Sequence, residues 1–396
     1  MPLILVINCG SSSLKFAVIE SEEGTVLTNG LAERLNTPEA VLHLRLPEGE
    51  KRNVAVPRVD HSSALDRILE QLGDTISQGK IAGVGHRVVH GGEVFSESVR
   101  IDEDVVKKIV EVSGLAPLHN PASLSGIAAA LHQFPALPHV AVFDTAFHQT
   151  MPLQAFMYAL PYDLYQRHKI RRYGFHGTSH RYVAGEAARR IGKPLEDLQM
   201  ITAHLGNGCS ACALKDGKSV DTTMGLTPSE GLVMGTRSGD VDPNLHQFIA
   251  EKTGRSLAEI TDLLNRKSGL LGLSGHSNDM RALVEAESWG NPHAAMAINV
   301  FCYRLAKGIL GIAAGLDRVD ALIFTGGIGE NSQPVRARTL EHLGVLGAKM
   351  DVPANENHGK YNGGIISAAD SRVLCMVVPT NEELVIARET ARFLNS

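Results

Sequence analysis

The chain has 396 residues, 43% hydrophobic and 20% charged, an ordinary globular composition but more chain than one hydrophobic core usually serves, so two domains are expected. A formal net charge of -5 argues against nucleic acid as a partner, because its binders usually present a basic face. The opening apolar run, Leu3 to Ile7, has no basic segment before it and is too short for a signal peptide or a membrane span, so a cytoplasmic protein with no membrane partner is expected.

In chain order, Leu3 to Ile7 reads as a strand, Asn8-Cys9-Gly10-Ser11-Ser12-Ser13 as a turn-rich loop, and Leu14 to Glu20 as the returning strand. A turn at Glu22-Glu23-Gly24 leads to a third strand, Thr25 to Thr28, which makes an antiparallel meander. Lys15 lies two residues past the loop, where it is either a solvated strand lysine or a cation for a terminal phosphate. Gly85 to Gly92 places Arg87 in an apolar, glycine-bounded strand. A buried arginine needs a partner, and its planar guanidinium suits carboxylate or phosphate. Ala122 to Gln133 reads as a helix with Pro121 near its first turn, and Val140 to Phe143 as a strand ending at Asp144, a usual place for functional side chains in α/β folds. The domain boundary is expected between Thr145 and Pro152.

His176 and His180 stand four apart, but Gly177 occupies the place where a zinc helix carries glutamate. Ser179 to Ile191 reads as a helix stopped by Gly192. The grammar of the first strands then recurs: Met200 to Leu205, a tight loop Gly206-Asn207-Gly208, Cys209 to Lys215, an Asp216-Gly217 hairpin turn and Lys218 to Thr223. Cys209 and Cys212, three apart on a strand, point to opposite faces and can share neither a metal nor a disulfide. Arg237 sits among small residues, Ser256 and Glu259 form a capping box, and Arg281 follows Asn278-Asp279. Pro292 to Ala314 reads as a long helix, Ala321 to Thr325 as a strand, and Gly326 to Ser332 as a third glycine-rich loop running into Pro334.

Strands alternating with helices give an α/β fold, and the repeated unit suggests two similar domains. The three loops, Asn8 to Ser13 with Ser11 and Ser13, His204 to Ser210, and Gly326 to Ser332, offer backbone N–H groups to phosphates. Other nucleotide motifs fail: Gly217-Lys218-Ser219 lacks the leading glycine of a Walker loop, because position 212 is cysteine. Gly206 to Ala211 matches a dinucleotide fingerprint but runs into a hairpin rather than a helix. With Arg87, Arg237 and Arg281, the loops resemble a phosphate clamp, and Asn8 and Glu382 supply oxygens of the kind Mg2+ takes.

These stretches, together with Phe143 to Pro152, Tyr173 to His180, Met224 to Pro243 and Thr380 to Glu383, resemble the acetate kinase (acetokinase) family from Asn8 to Glu383, with no departure at positions the family uses for chemistry. The resemblance implies two domains with duplicated actin-like ATPase (ribonuclease H-like) cores and an active site in the cleft between them. Residues 1–148, completed by 383–396, would form one domain. Residues 149–382 would form the other, with the nucleotide site and the interface of a homodimer. It further implies ATP/ADP and acetate/acetyl phosphate as substrates, and Mg2+, with Mn2+ as a substitute, held by Asn8 and Glu382. Asp144, His176 and Arg237 would be catalytic. Arg87, Val89, Leu118, Phe175 and Pro228 would bind acetate. Lys15, Ser11, Ser13, His204, Leu205, Gly206, Asn207, Gly208, Asp279, Met280, Arg281, Gly327, Ile328, Gly329, Glu330 and Asn331 would bind nucleotide. A propionate or butyrate kinase, or a chaperone- or filament-type ATPase of the same superfamily, stands as the alternative.

Overall fold

The structure, a computed structural model, describes residues 2–46, 49–79, 81–117 and 119–394. The chain divides into two units, Met1–Phe147 with Asn381–Ser396, and His148–Thr380.

In the first unit, β1 (Leu3–Gly10), β2 (Ser13–Glu20), β3 (Val26–Glu33), β4 (Val41–Arg45) and β5 (Lys51–Ala55) form an antiparallel ribbon. β6 (Ile81–Val88), β7 (Val99–Arg100) and β8 (His139–Phe143) complete an eight-stranded sheet ordered β5-β4-β3-β2-β1-β6-β8-β7. β1, β6 and β8 run parallel. Leu5, Ile7, Leu14, Phe16 and Leu42 pack into a core with Leu65 and Ile68 of the helix His61–Gly79 and Ala129 of the helix Asn120–Gln133. The helix Glu382–Arg392 lies directly on β6: a Cβ on Gly85 would come within 2.4 Å of Thr390 Oγ1 and 2.6 Å of Ile386.

The second unit repeats the arrangement. β9 (Met200–Leu205), β10 (Cys209–Lys215) and β11 (Lys218–Thr222) form the antiparallel meander, and β12 (Ala321–Thr325) and β13 (Leu374–Val377) add to β9 in parallel. The order β11-β10-β9-β12-β13 matches β3-β2-β1-β6-β8 strand for strand, which confirms the duplicated core expected from the sequence. Asp216 and Gly217 both take positive φ, 52° and 71°, the turn that matches the twist of a two-residue hairpin. The helix Pro292–Ile312 is long and apolar enough to cross a membrane by composition, but Ala294, Ile298, Phe301, Leu305 and Ile309 are buried inside the unit.

Two expected loops have other shapes. Asn8 to Ser13 is no open loop, because pairing continues to Gly10↔Ser13 and only Ser11-Ser12 turn the chain. Gly326 to Asn331 is a short helix following β12 without a gap. Its first residue sits at φ 75° with a Cβ position 2.8 Å from Leu205 O, so only glycine fits the corner.

Candidate active site

Chemistry-bearing side chains gather where the parallel strands of each unit end. In the first unit Asn8 stands on β1, Arg87 on β6 and Asp144 just past β8. Arg87 grips Asp144 with Nε 3.0 Å from Oδ1 and Nη2 2.5 Å from Oδ2, and Nη1 reaches Asn8 Oδ1 at 3.3 Å. Asp144 is 1% exposed and Arg87 22%. Burial raises the Asp144 carboxyl while the Arg87 guanidinium pulls it down; Glu382 lies close enough to act on both, which places it with this group. Val88 is core, packed with Phe95, Ile127, Ala141 and Phe143, whereas Val89, one residue past the end of β6, is buried but outside that cluster. Leu118 lies outside the described residues.

Asn8 and Glu382 therefore belong to one unit, an amide oxygen and a carboxylate beside the Arg87–Asp144 pair. Such hard oxygen donors, few in number, fit Mg2+, which keeps waters and substrate oxygens as its other ligands. Lys15 pairs with the neighbouring Glu383 instead of standing as an isolated cation. Ser11 is exposed at the hairpin turn and Ser13 half-buried.

In the second unit His176 precedes the helix Gly177–Ile191 with φ 56°, a left-handed conformation uncommon outside glycine. Its ring stacks on His204 at 4.3 Å, and Nδ1 lies 2.9 Å from Ser210 Oγ. Arg237 donates from Nη1 to Pro228 O at 2.9 Å and, among the described residues, pairs with no carboxylate. Burial works against its charge and lowers its pKa. A partly buried guanidinium without an acid is poised for an anion. Both groups converge on one backbone position: a Cβ on Gly208 would lie 3.3 Å from Arg237 Nη1 and 3.4 Å from His176 Cε1. Phe175 is buried, and its carbonyl faces His148 Nε2 at 3.0 Å.

The other end of the same turn opens on a cavity of about 980 Å3, lined by Gly206, Asn207, Asp279, Met280, Arg281, Gly327, Ile328 and Asn331. It is large for a small-molecule site. Asp279 caps the helix Met280–Ser288 by accepting from Arg281 N, and pairs with the Arg281 guanidinium at 2.8 Å, which lowers its pKa. Asn278 ties this wall to Asn207 through a 2.9 Å bond. Of the residues expected here, His204, Leu205, Gly208, Gly329 and Glu330 do not line the cavity. The Glu330 carboxylate turns inward to Gly326 N at 2.9 Å and Thr380 N at 3.1 Å. Val284, Glu285, Ser288 and Gln333 line it unanticipated, and Pro334, into which the third glycine-rich loop was expected to run, lines it as well. Val284, Glu285 and Ser288 lie on the helix that Asp279 caps, and Gln333 and Pro334 open the helix Gln333–Glu341. The cap residue Asp279 and Pro334 were the readable signals for those two helix starts.

Thus a five-stranded core occurs twice, with an arginine–carboxylate pair at strand ends in one unit and an anion-receptive arginine, a histidine and a large cavity in the other. Its class is a duplicated α/β protein equipped to handle anionic ligands. The description of the Acetokinase family matches residues 3–388. Over 393 residues the chain is 54% identical to the acetate kinases of Stutzerimonas stutzeri (strain A1501) and Deinococcus deserti, covering 99% of this chain and 99% and 98% of theirs. Among solved structures, a propionate kinase from Francisella tularensis superposes with a TM-score of 0.94 at 45% identity, covering 99% of this chain and 100% of that one. The acetate kinase of Porphyromonas gingivalis does so with 0.93 at 44%, covering all of both. The chain belongs to the acetokinase family.

Proposed function

We propose that the chain is an acetate kinase, passing a phosphoryl group reversibly between ATP and acetate by direct in-line transfer. The observation that carries this reading is Arg237: a partly buried guanidinium without an acidic partner, converging with His176 on Gly208, next to a cavity of nucleotide size. Phosphoryl transfer asks a protein mainly for positioning and charge stabilisation. The acceptor carboxylate, with a pKa of roughly 4 by analogy with side-chain carboxyls, is ionised at neutral pH and needs no general base. Asp144, committed to Arg87 by three short N–H contacts, orients that guanidinium on the carboxylate rather than removing a proton. Arg237 and His176 take the equatorial phosphoryl oxygens. Gly206, Asn207, Asp279 and the Gly326–Asn331 helix hold the nucleotide, and Val89 meets the acetate methyl. Asn8 and Glu382 would hold Mg2+, which supplies charge neutralisation to the phosphates. A homodimer and a cytoplasmic location complete the reading, the former open to test by light scattering.

The similarity to a propionate kinase structure supports a second acceptor on the same scaffold. Trapping the acyl phosphate with hydroxylamine, across acetate, propionate and butyrate, separates the readings. Acetate should show the highest kcat/KM. A preference for propionate would replace the acceptor, and no hydroxamate from any acid would overturn the kinase reading.

A further inference from the structure

Behind His176 runs a row of buried polar side chains for which the proposed reaction has no direct use. Ser210 Oγ lies 2.9 Å from His176 Nδ1 and 2.7 Å from His180 Nε2, and His180 Nδ1 lies 2.7 Å from Thr202 Oγ1. Ser210, His180 and Thr202 are fully buried. Each hydroxyl carries one hydrogen, and a neutral imidazole carries one N–H, so the row has few consistent directions.

If Thr202 donates to His180 Nδ1, then His180 Nε2–H donates to Ser210 Oγ, and the Ser210 hydroxyl donates to His176 Nδ1. Every hydrogen is used. If the row is reversed, the Thr202 hydroxyl hydrogen has no acceptor among the described residues, because its oxygen contacts His180 alone. If both imidazoles donate to Ser210, the serine hydrogen is stranded in the same way. A buried donor left unmet is strongly disfavoured. Burial, with His148 and His204 nearby, pushes His180 well below the ordinary histidine pKa, so it is neutral as this counting requires.

We propose that Ser210, backed by His180 and Thr202, is a positioning residue that presents His176 as the tautomer protonated at Nε2, the form that donates a hydrogen bond to the moving phosphoryl group. The proposal rests on the reading of His176 as a phosphoryl contact. The row works as a tautomer lock: a histidine protonated at Nδ1 instead would turn a lone pair toward phosphoryl oxygen and repel it.

The test combines 15N NMR of the full chain labelled at histidine, with the His176 signal assigned from His176→Gln, and steady-state kinetics. Wild type should show a protonated Nε2 and an unprotonated Nδ1 at His176. Ser210→Ala and the isosteric Thr202→Val should shift His176 toward a tautomer mixture. They should lower kcat about 10–100-fold, as loss of outer hydrogen-bond partners does at other sites, with KM for both substrates little changed. Thr202→Ser, which keeps the hydroxyl, should rescue both readouts. A His176 protonated at Nδ1 in wild type, or an unchanged tautomer in Ser210→Ala, overturns this proposal alone. An unchanged kcat in His176→Gln overturns instead the phosphoryl role on which it rests.

Discussion

Gly208→Ala tests the convergence of Arg237 and His176 with a single methyl group. Gly208 does not need left-handed backbone, so alanine is permitted there, and the effect is one of space. The new Cβ would stand 3.3 Å from Arg237 Nη1, 3.4 Å from His176 Cε1 and 3.5 Å from His176 Nε2. The Arg237 contact is tight enough to push the guanidinium by a few tenths of an ångström away from its place beside His176, whose own contacts with the methyl are at ordinary van der Waals distance. A displacement of about 1 Å costs on the order of 10²-fold in rate, so a shift of this size should lower kcat about 3–10-fold. Gly206→Ala is the control, because its Cβ would meet Gly208 O at 3.4 Å and His204 Nε2 at 3.8 Å. Gly206 lines the large cavity, so this change should act on KM for the nucleotide. Steady-state kinetics with both substrates varied reads both effects. An unchanged kcat in Gly208→Ala, or an equal kcat loss in Gly206→Ala, would refute the geometry.

Asp144→Ala leaves the largely buried Arg87 without its acid, and should destabilise the protein by about 3 kcal/mol, the lower end of the range for a broken buried pair. Asp144→Asn keeps an acceptor oxygen and should cost less, so equal losses in urea unfolding would contradict the pairing argument. Val89→Ala should raise the propionate-to-acetate ratio of kcat/KM by about 10-fold, the lower end for one methylene. Val88→Ala should cost stability instead, since Val88 belongs to the core; a specificity change that follows Val88 would reverse the assignment. Burial pushes His148 down to about 4, so its neutral form contributes fully above an unfolded pKa near 6.5. That contribution is lost as pH falls toward 4. At pH 5 the loss is about 2 kcal/mol, and the drop in stability between pH 7 and pH 5 should be smaller in His148→Gln than in wild type. Parallel pH dependences would exclude His148 as a source.

Much of this was legible because local chemistry and fold agreed. The Asp216-Gly217 turn, the Ser256–Glu259 capping box, the Gly192 stop and the two meanders all depend on neighbours in sequence, and all formed. β4, β5 and β7 went unread, being short strands at or near a sheet edge; β5 is nearly all exposed. The glycine-rich appearance of Gly326 to Ser332 concealed a helix, since glycine's low propensity was overridden by anchoring of Glu330 to Gly326 N and of Arg336 to Gly329 O. Lys15 read as a possible phosphate ligand because its partner, Glu383, is more than 360 residues away in sequence. The polar row behind His176 was invisible for the same reason. Thr202 read as an ordinary strand residue and Ser210 as the end of a phosphate-binding loop until β9 and β10 set them beside one helix.

The helix Glu382–Arg392 belongs to the first unit, although all of His148–Thr380 is translated before it. The bare faces of Gly83 and Gly85 are therefore a socket that stays open until this helix has been made, with Thr390 and Ile386 as the missing plug. On the ribosome the second unit can finish folding while the first waits. A nascent chain arrested after Thr380 should accordingly show a protease-resistant second unit and a first unit that is cut readily. Adding the final helix as a separate peptide should protect it. The order of maturation is then the reverse of the order of reading, and any extension fused after Ser396 has to leave the helix Glu382–Arg392 free to seat.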